Sequence, residues 1–360
     1  MARPNCSEHV YQQIFSRIES GEYSYNSFLP SEQELATDLN VSRNTIRKAV
    51  SRLANENIIA KSQGRQSRVI YQTCSKKVSE NNLAWISYLK PQMLFANQIY
   101  FEMFKLMVEM ARLYGYGIHF FDINSKYDWD PACLNVMPWK GIFAVGLSPQ
   151  LIGRENAGKL RKIPNLISID ENDDPPGENI VSIDNYRSAR LMTEYLISCG
   201  ARKLGFLNNS VQCGLPFRER ERGFFDGIKA AENCTGVSAI VDLPPYSYYL
   251  EQIQKTIEIL RQHPEVDCWF CATDGLATLA LSALNAMNYN IPNDVMVAGF
   301  DGVYTSQYIS PRLTTLMQPL REVVDAALKL AIDPRPAAPV ELKFTGRIFQ
   351  GDTTRQPLLK

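Results

Sequence analysis

Apolar residues recur at helical spacing three times in the first seventy residues, and a residue that can cap a helix precedes each stretch. Ser7, Ser31 and Ser42 are these capping residues, and Glu34 completes a capping box with Ser31. The predicted buried positions are Val10, Ile14, Phe15 and Ile18 in the first helix, Leu35, Ala36 and Leu39 in the second, and Ile46, Ala49, Val50 and Leu53 in the third. Because only a few residues separate the last two helices, the pattern predicts a helix-turn-helix.

A small hairpin is predicted after the third helix. Residues 58–62 and 65–70 are short strand-like runs on either side of Gln63 and Gly64, and the second run is basic. A helix-turn-helix followed by a basic hairpin is a winged helix. The start of its third helix carries Arg43, Asn44, Arg47 and Lys48. Arginine can bond guanine and asparagine can bond adenine in the major groove, so this face fits DNA better than the alternative, a merely solvated surface.

Three stretches closely resemble the GntR-type winged helix. They are Leu-Pro-Ser-Glu-Gln-Glu-Leu-Ala at residues 29–36, Val-Ser-Arg-Asn-Thr-Ile-Arg-Lys-Ala at residues 41–49, and Gln-Gly at residues 63–64. The resemblance implies double-stranded operator DNA as a partner. The contacts that it implies come from Gln33, from Ser42, Arg43, Asn44, Thr45 and Arg47 in the recognition helix, and from Gln63, Gly64 and Arg65 in the wing. Gln33 departs from the arginine that is frequent in the family, which weakens that contact; Asn57 and Gln66 replace frequent glycines.

The remaining chain alternates short apolar runs with amphipathic stretches. The predicted strands are residues 83–89, 118–123, 142–145, 166–169, 204–207, 239–241, 268–272 and 295–299, and the predicted helices lie near 98–114, 185–199, 217–232, 248–262 and 276–288. This alternation predicts an α/β fold with parallel sheets covered by helices. Its length favours two doubly wound lobes with a ligand cleft between them. Residues 72–82 lack an apolar period and are predicted to link a DNA-binding domain at 1–71 to the two-lobed domain at 83–360.

The large domain resembles the LacI/periplasmic-binding-protein-like effector domain over roughly residues 82–355. Its strongest elements are Gly-Phe-Asp-Gly at 299–302 and Pro-Arg-Leu-Thr-Thr at 311–315. Weaker elements lie at 185–189, 199–207, 220–224, 272–277 and 291–295. The resemblance implies that residues near 318–334 cross back to the first lobe. A GntR-type head on a LacI-like body is the arrangement of arabinose-repressor-like regulators, and the hinge helix of LacI proteins is absent here.

The same resemblance implies where an effector binds. It assigns contacts to Arg220, Asp170, Asp274 and Asp301, with Tyr246 as an aromatic plate for which Tyr248 and Tyr249 are alternatives. Carboxylates accept the hydroxyl groups of a sugar, arginine donates paired bonds, and an aromatic ring covers the apolar face of a sugar ring. Each aspartate has a structural alternative as a turn or capping residue, and for Asp301 the following glycine strengthens that alternative.

Charge and composition restrict the function. The 360 residues hold 38 Lys and Arg against 38 Asp and Glu, but residues 1–77 contain 11 basic and 7 acidic residues, so the excess of positive charge lies in the DNA-binding head. No apolar run is long enough for a membrane helix, the N-terminus lacks a signal core, and the eight cysteines are scattered. These features predict a cytoplasmic protein without membrane association.

No motif supports catalysis. The three histidines lack partners at metal-ligand spacing, and Cys268 and Cys271 lie in a strand-like run, where residues three apart face opposite ways. We therefore expect no enzyme activity, cofactor or metal. The leading hypothesis is a homodimeric repressor of sugar-utilisation genes that a sugar releases from a two-fold symmetric operator. Two alternatives stay open: a regulator that uses a non-sugar corepressor, and a cytoplasmic sugar-binding protein without a regulatory role.

Overall fold

Three helices and an antiparallel pair of strands build the first of two units into which the chain divides, Met1–Ser79 and Glu80–Lys360. The computed structural model describes residues 6–19, 22–23, 27–56, 58–61, 66–70, 81–87, 98–123, 134, 139–147, 152–163, 166–170, 179–209, 214–242, 248–304, 308–334 and 336–358. The elements of the first unit are α1 (Cys6–Glu19), α2 (Glu32–Asp38), α3 (Arg43–Asn55), β1 (Ile59–Ala60) and β2 (Arg68–Val69). Ile59 pairs with Val69, which gives the predicted wing hairpin.

Local capping determines where α2 and α3 begin. The Ser31 hydroxyl accepts a hydrogen bond from the Glu34 amide, and the Glu34 carboxylate accepts one from the Ser31 amide, so the predicted capping box forms. Ser42 caps α3 in the same way. Ser7, in contrast, lies inside α1, because that helix begins one residue earlier at Cys6. All four apolar residues predicted for α3 are buried in the core of this unit.

Two six-stranded sheets form the second unit. The strands of the first sheet are β3 (Asn82–Ser87), β4 (Gly117–Asp122), β5 (Gly141–Val145), β6 (Leu166–Ile169), β7 (Asn179–Ile183) and β13 (Glu341–Phe344). Those of the second are β8 (Lys203–Asn209), β9 (Thr235–Val241), β10 (Cys268–Cys271), β11 (Met296–Asp301), β12 (Thr314–Met317) and β14 (Arg347–Phe349). Their orders are β13-β7-β6-β5-β3-β4 and β14-β12-β11-β10-β8-β9, and every pairing is parallel except that of β14 with β12. Each sheet is the centre of one lobe.

Helices cover both sheets, as the alternating pattern predicts. They are α4 (Gln98–Leu113), α5 (Arg154–Leu160), α6 (Asn185–Ser198), α7 (Leu215–Lys229), α8 (Tyr249–Arg261), α9 (Asp274–Ala286) and α10 (Leu320–Ile332). The eight predicted strands are present; seven differ from the prediction by no more than two residues at either end, whereas β9 begins four residues earlier than predicted. The sequence analysis did not predict β7, β12, β13, β14, α5 and α10. It also placed Asn82 in the linker, whereas Asn82 is the first residue of β3.

The chain crosses between the lobes three times within the second unit. It passes from β7 to α6 at Asp184, from β12 to α10 at Gln318 and Pro319, and from β13 to β14 at Thr345 and Gly346. Helix α10 packs against α4 and against β5, β6 and β7, so the segment near 318–334 returns to the first lobe. The carboxyl ends of β6, β10 and β11 carry Asp170, Asp274 and Asp301, which brings the candidate ligand residues to strand ends.

Candidate functional sites

The start of α3 presents the polar side chains predicted to meet DNA. Arg43 and Asn44 are exposed in the first turn, whereas the opposite face of the helix is buried. The hydroxyl groups of Ser42 and Thr45 lie 2.8 Å apart and share a hydrogen bond. Because Ser42 also accepts from the Thr45 amide, its hydroxyl holds the first turn in place. The helix therefore offers a fixed N-terminal turn with an arginine and an asparagine pointing to solvent.

Arg47 is the recognition-helix arginine that has a partner on the preceding helix. Its side chain is 62% exposed, and its Nε lies 3.3 Å from the carboxylate of Glu32 in α2. An exposed ion pair contributes little to stability, about 0–1 kcal/mol. The pair instead orients Arg47. Its Nε is engaged, and no hydrogen bond within the described residues uses its two terminal nitrogens, which suit a bidentate bond.

Other predicted DNA contacts are only partly described by the structure. Gln33 is exposed in α2. The three wing residues Gln63, Gly64 and Arg65 lie outside the described residues. Lys61, at the end of β1, donates a hydrogen bond to the Ser51 hydroxyl at 2.8 Å. The described part of the surface thus consists of the start of α3, the exposed side of α2 and the base of the wing.

Arg220 is the central side chain of the candidate ligand site. Only 5% of the residue is exposed, and its guanidinium lies over the rings of Phe300 and Phe217, with centroid distances of 3.8 and 5.0 Å. Its Nε donates to Asn185 Oδ1 at 2.8 Å, and its Nη1 donates to the carbonyl oxygen of Ala272 at 2.6 Å. Burial lowers the pKa of Arg220, and the neighbouring carboxylates oppose that change.

Asp301 completes the ion pair and joins the site to a lobe crossing. Its Oδ1 lies 3.5 Å from Arg220 Nη1 and accepts a hydrogen bond from Gln318 Nε2 at 2.8 Å. Its backbone φ is 133°, a region that residues other than glycine rarely adopt, and such strain is concentrated at functional sites. Burial raises the pKa of Asp301 to about 7 although Arg220 lowers it, and the nearby carboxylate of Asp274 adds to the rise.

Asp274 bonds to two groups of its own lobe. It is 1% exposed in the first turn of α9. One carboxylate oxygen accepts from the Val303 amide at 3.0 Å and the other from the Thr315 hydroxyl. A Cβ at Gly299 would overlap this carboxylate, which explains the glycine of the Gly-Phe-Asp element. Asp274 thereby positions the turn that follows Asp301, and its direct contact with a ligand stays a prediction.

Asp170 and Tyr100 are the members of the candidate site that belong to the first lobe. Tyr100, in the first turn of α4, donates to Asp170 Oδ2 at 2.9 Å, and Asp170 has a positive φ of 74°. Asp170 acts electrostatically on both Arg220 and Asp301 of the second lobe. Sequence reasoning missed Tyr100. Two features point to Tyr100. It lies at the start of the helix that follows β3, and a Cβ at Gly146 would overlap its hydroxyl group, which explains the glycine there.

The structure thus brings together a set of side chains that we call the cleft cluster. Its members are Tyr100, Asp170, Asn185, Arg220, Asp274, Asp301 and Gln318. The predicted aromatic residue Tyr246 lies outside the described residues. Tyr248 and Tyr249 are exposed, and the Tyr249 hydroxyl lies 2.8 Å from Ser282 Oγ. Chemically, the cluster offers carboxylate acceptors from both lobes and one guanidinium, a set suited to a small polar ligand.

The described residues hold neither of two further classes of site. No group of three or more histidine, cysteine, aspartate or glutamate side chains there could hold a metal ion. No helix in this part of the chain is long and apolar enough to cross a membrane. Cys199, Cys268 and Cys271 are buried free thiols, and burial raises the pKa of each. A raised thiol pKa disfavours the reactive thiolate form.

Two family models match the chain. The model of the bacterial regulatory proteins of the gntR family matches residues 6–69, and that of the periplasmic binding protein-like domain matches residues 193–354. The first match covers the three helices and the hairpin of the first unit. The second extends from α6 to the segment after β14, and so includes Arg220, Asp274, Asp301 and Gln318.

Two curated relatives are repressors named for sugars. The chain is 22% identical to the arabinose metabolism transcriptional repressor of Geobacillus stearothermophilus over 330 residues, 89% of this chain and 88% of that protein. It is 24% identical to the ribose operon repressor of Halalkalibacterium halodurans over 266 residues, 72% of this chain and 77% of that protein.

Solved structures of transcriptional regulators share the fold. A complex of the transcriptional regulator CelR with cellobiose superimposes with a TM-score of 0.63 at 18% identity, and covers 90% of this chain and 100% of that one. The transcription regulator GntR of Chromobacterium violaceum gives a TM-score of 0.58 at 22% identity, and covers 76% and 99%. At these identities the likeness shows the two-lobed fold.

Proposed function

We propose that this chain, which joins a GntR-family DNA-binding domain to a LacI/periplasmic-binding-protein-like domain, is a repressor of sugar-utilisation genes that a sugar releases from its operator. The observation that carries the proposal is the presence of both halves of such a regulator in one chain. The first unit offers an exposed arginine and asparagine on a capped recognition helix. The second offers the cleft cluster, with carboxylates from both lobes around one buried arginine.

The cleft cluster supports a sugar rather than an apolar ligand. The carboxylates of Asp301 and Asp170 can accept hydrogen bonds from hydroxyl groups, and the guanidinium of Arg220 can donate one. A ligand that bonds to Asp170 in the first lobe and to Asp301 in the second prefers a closed arrangement of the lobes. Only such a difference in affinity between two arrangements can shift a conformational balance. We propose that this shift weakens operator binding, since the relatives named above are repressors.

The working unit is a homodimer in the cytoplasm. A single winged helix contacts little DNA, whereas a two-fold pair doubles the contacts and matches the two halves of a symmetric operator. The second unit supplies the dimer interface in this proposal. Light scattering of the free protein and of its operator complex tests it, because a monomer in both states contradicts the dimer. No catalytic role is assigned to any residue.

An operator-shift assay with and without sugar tests the function. DNA fragments from the upstream regions beside the gene are titrated at several salt concentrations, and the sugars ribose, arabinose, galactose and cellobiose are then added to each complex. We expect specific binding to one fragment, with a steep dependence on salt, and release by one sugar. Binding of sugar without any specific binding of DNA would favour the alternative of a sugar-binding protein without a regulatory role.

Two variants separate the two halves of the proposal. Arg47→Ala is expected to weaken operator binding while it keeps the thermal stabilisation by sugar. Arg220→Lys is expected to keep operator binding and to lose the thermal stabilisation by sugar. Tighter operator binding on addition of a ligand, instead of release, would show a corepressor and contradict the inducer mode.

A further inference from the structure

We infer that the protein binds a small organic anion, through a carboxylate or phosphate group, in a groove on the outer side of α6 beside two lobe crossings. The groove has a volume of about 500 Å³, which lies in the range of small-molecule sites. Its lining consists of Tyr186, Arg187, Arg190, Leu191, Glu194 and Thr345. This inference goes beyond the proposed function, because it concerns a second ligand whose binding is measured without sugar or DNA.

The groove is separate from the cleft cluster. Consecutive residues of an α-helix are rotated by about 100°, so Asn185 and Arg187 face nearly opposite sides of α6. Asn185 is buried and accepts from Arg220 in the cleft, whereas Arg187 is exposed. The other α6 residues of the groove follow Arg187 at intervals of three or four positions and share its stripe. The groove therefore lies on the side of α6 that faces away from Arg220.

Arg187 is the cation of the groove that is available to a ligand. Its backbone amide donates to Asp184 Oδ1 at 2.9 Å, but no side chain of the described residues forms an ion pair or hydrogen bond with its guanidinium. The Thr345 hydroxyl, in the segment between β13 and β14, likewise has no hydrogen-bond partner there. A guanidinium donates paired bonds to the oxygens of a carboxylate or a phosphate, and a hydroxyl can donate one more. Together they form an anion site.

The other two arginines near the groove already have acidic partners. Arg190 Nε donates to Glu194 at 2.9 Å, and Glu194, followed by Tyr186, raises the pKa of Arg190. The guanidinium of Arg222, in α7, lies 4.9 Å from the centre of the Tyr186 ring, and its Nη1 lies 3.5 Å from a carboxylate oxygen of Glu219. These pairs fix the walls of the groove and leave its charge balance to Arg187.

Two further carboxylates border the groove, and each is opposed by positive charge. Asp226 accepts from the Tyr186 hydroxyl and from Lys229, both at 3.2 Å. Asp184 caps α6, where the positive end of the helix dipole opposes its charge. An anion that enters the groove therefore meets carboxylates that are already engaged.

The position of Arg187 in the first turn of α6 is unfavourable for the helix itself. The helix dipole favours acidic residues in a first turn, and α6 has none there. Its arginine thus breaks a local rule, and no acidic side chain in the described part of the chain compensates for it. Such exceptions are concentrated at functional sites, and a bound anion would supply the missing partner.

The groove adjoins two of the three lobe crossings. The Asp184 amide donates to the Phe344 carbonyl oxygen at 2.9 Å, and the Gly346 amide donates to the Ser188 hydroxyl at 2.9 Å. These bonds join the crossing from β7 to α6 to the crossing from β13 to β14. A ligand held by both α6 and the second crossing therefore contacts a segment that must move if the lobes rotate. Its affinity then differs between lobe arrangements, and that difference shifts their balance.

A panel of anions and their uncharged counterparts tests binding. Thermal shift and isothermal titration are run on the full-length protein with phenyl phosphate, benzoate, glucose 6-phosphate and gluconate, and with phenol, benzamide and glucose. We expect at least one anion to bind at least tenfold more tightly than its counterpart, with an affinity that falls as salt is added. The tighter of the phosphate and carboxylate probes identifies the anionic group. If no anion binds more tightly than its counterpart, the inference is overturned and the repressor function still stands.

Arg187→Gln locates the site, because glutamine removes the charge and keeps a long polar side chain. This variant is expected to bind the anion at least tenfold more weakly than the wild type. Arg261→Gln is the matched control, since Arg261 is an exposed arginine in the last turn of α8 in the same lobe. An equal loss in both variants contradicts a specific site. If Arg220→Lys weakens the anion as much as Arg187→Gln does, the anion lies in the cleft and the inference is wrong.

An operator titration with and without the anion tests the link to the lobes. A saturating anion is expected to change the operator dissociation constant at least threefold in the wild type and not in Arg187→Gln. Thr345→Val, which removes the hydroxyl and keeps a branched side chain, is expected to bind the anion severalfold more weakly. An anion that binds and leaves operator affinity unchanged, both with and without sugar, contradicts an action on the lobes.

Discussion

Asp301 and Gln318 are joined by two hydrogen bonds. The Gln318 side chain donates from Nε2 to Asp301 Oδ1 at 2.8 Å, and the Gln318 amide donates to the Asp301 carbonyl oxygen at 3.0 Å. Gln318 lies in the crossing from β12 to α10, whereas Asp301 is the last residue of β11 and the ion-pair partner of Arg220. The candidate ligand site is therefore bonded directly to a segment that must move if the lobes rotate.

Gln318→Ala is expected to weaken the response to sugar more than the affinity for sugar. A hydrogen bond to a charged group contributes about 1.5–3 kcal/mol, which is comparable to a typical coupling free energy of about 1–3 kcal/mol between two sites. Loss of the side-chain bond then reduces the change in operator affinity on sugar binding several-fold. The measurement is the operator dissociation constant with and without saturating sugar.

Gln262→Ala is the matched control for this variant. Gln262 is exposed at the end of α8, away from any lobe crossing, so its replacement leaves the response intact. If the Gln318→Ala protein and the wild type respond equally to sugar, the two hydrogen bonds between Gln318 and Asp301 only stabilise the turn.

Arg47→Ala and Lys61→Ala are expected to weaken operator binding in different ways. An arginine that reads a base contributes about 1–3 kcal/mol and discriminates at that position, whereas a phosphate-binding lysine lowers affinity on all sequences and reduces the salt slope by about one. Titration of operator and random DNA over a range of salt concentrations distinguishes the two. If Arg47→Ala loses the same affinity on both DNAs, Arg47 contacts only the backbone.

Much of this fold could be predicted because the strands are buried on both faces. A strand covered by helices on either side consists of a continuous apolar run, and Leu166–Ile169 has the same bounds in the prediction and in the structure. The missed strand β13 is different. Glu341–Phe344 alternates polar and apolar residues at a sheet edge, and it pairs with β7, a segment some 160 positions earlier in the chain. Its pairing depends on tertiary contacts that no local pattern encodes.

The candidate site could be predicted only in part, for the same reason. Arg220, Asp274 and Asp301 lie beside recognisable motifs at strand ends or on a helix face. Tyr100 has no such motif, and its relation to Asp170 spans 70 positions of sequence. Sequence also could not reveal that the Asp274 carboxylate is used within its own lobe, because that depends on Val303 and Thr315 meeting it in three dimensions.

Sugar affinity is expected to depend on pH through Asp301. Burial raises the pKa of this carboxyl group to about 7, and Arg220, Asp274 and Asp170 are the charged groups around it. Hydroxyl groups donate to the carboxylate form, so affinity should rise as pH increases through 7 and level off above it, by at most about tenfold per pH unit. Titration calorimetry between pH 5.5 and 8.5 measures this dependence.

Asp301 also makes the stability of the folded protein depend on pH, in the direction opposite to that of the sugar affinity. Because its pKa is higher in the folded protein than in the unfolded chain, Asp301 contributes stability that is present at low pH and lost as pH rises through about 7. In Asp301→Asn both trends should disappear, since an amide does not titrate there. A wild-type affinity that is flat across this range would show that Asp301 does not accept from the ligand.

Arg220→Ala is expected to abolish the response to sugar while operator binding without sugar stays near normal. The substitution removes the bonds to Asn185 and Ala272 and leaves Asp301 buried without its cation, but it changes no residue of the first unit. Removal of one partner of a buried ion pair lowers the free energy of unfolding by about 3–5 kcal/mol. Arg220→Lys retains the charge, so it is the second variant to measure if Arg220→Ala does not fold. Circular dichroism establishes that each variant is folded before the operator titration is run with and without sugar. A folded variant that keeps the full sugar response and loses operator binding would make Arg220 an interface residue, and the ligand site would then have to lie elsewhere.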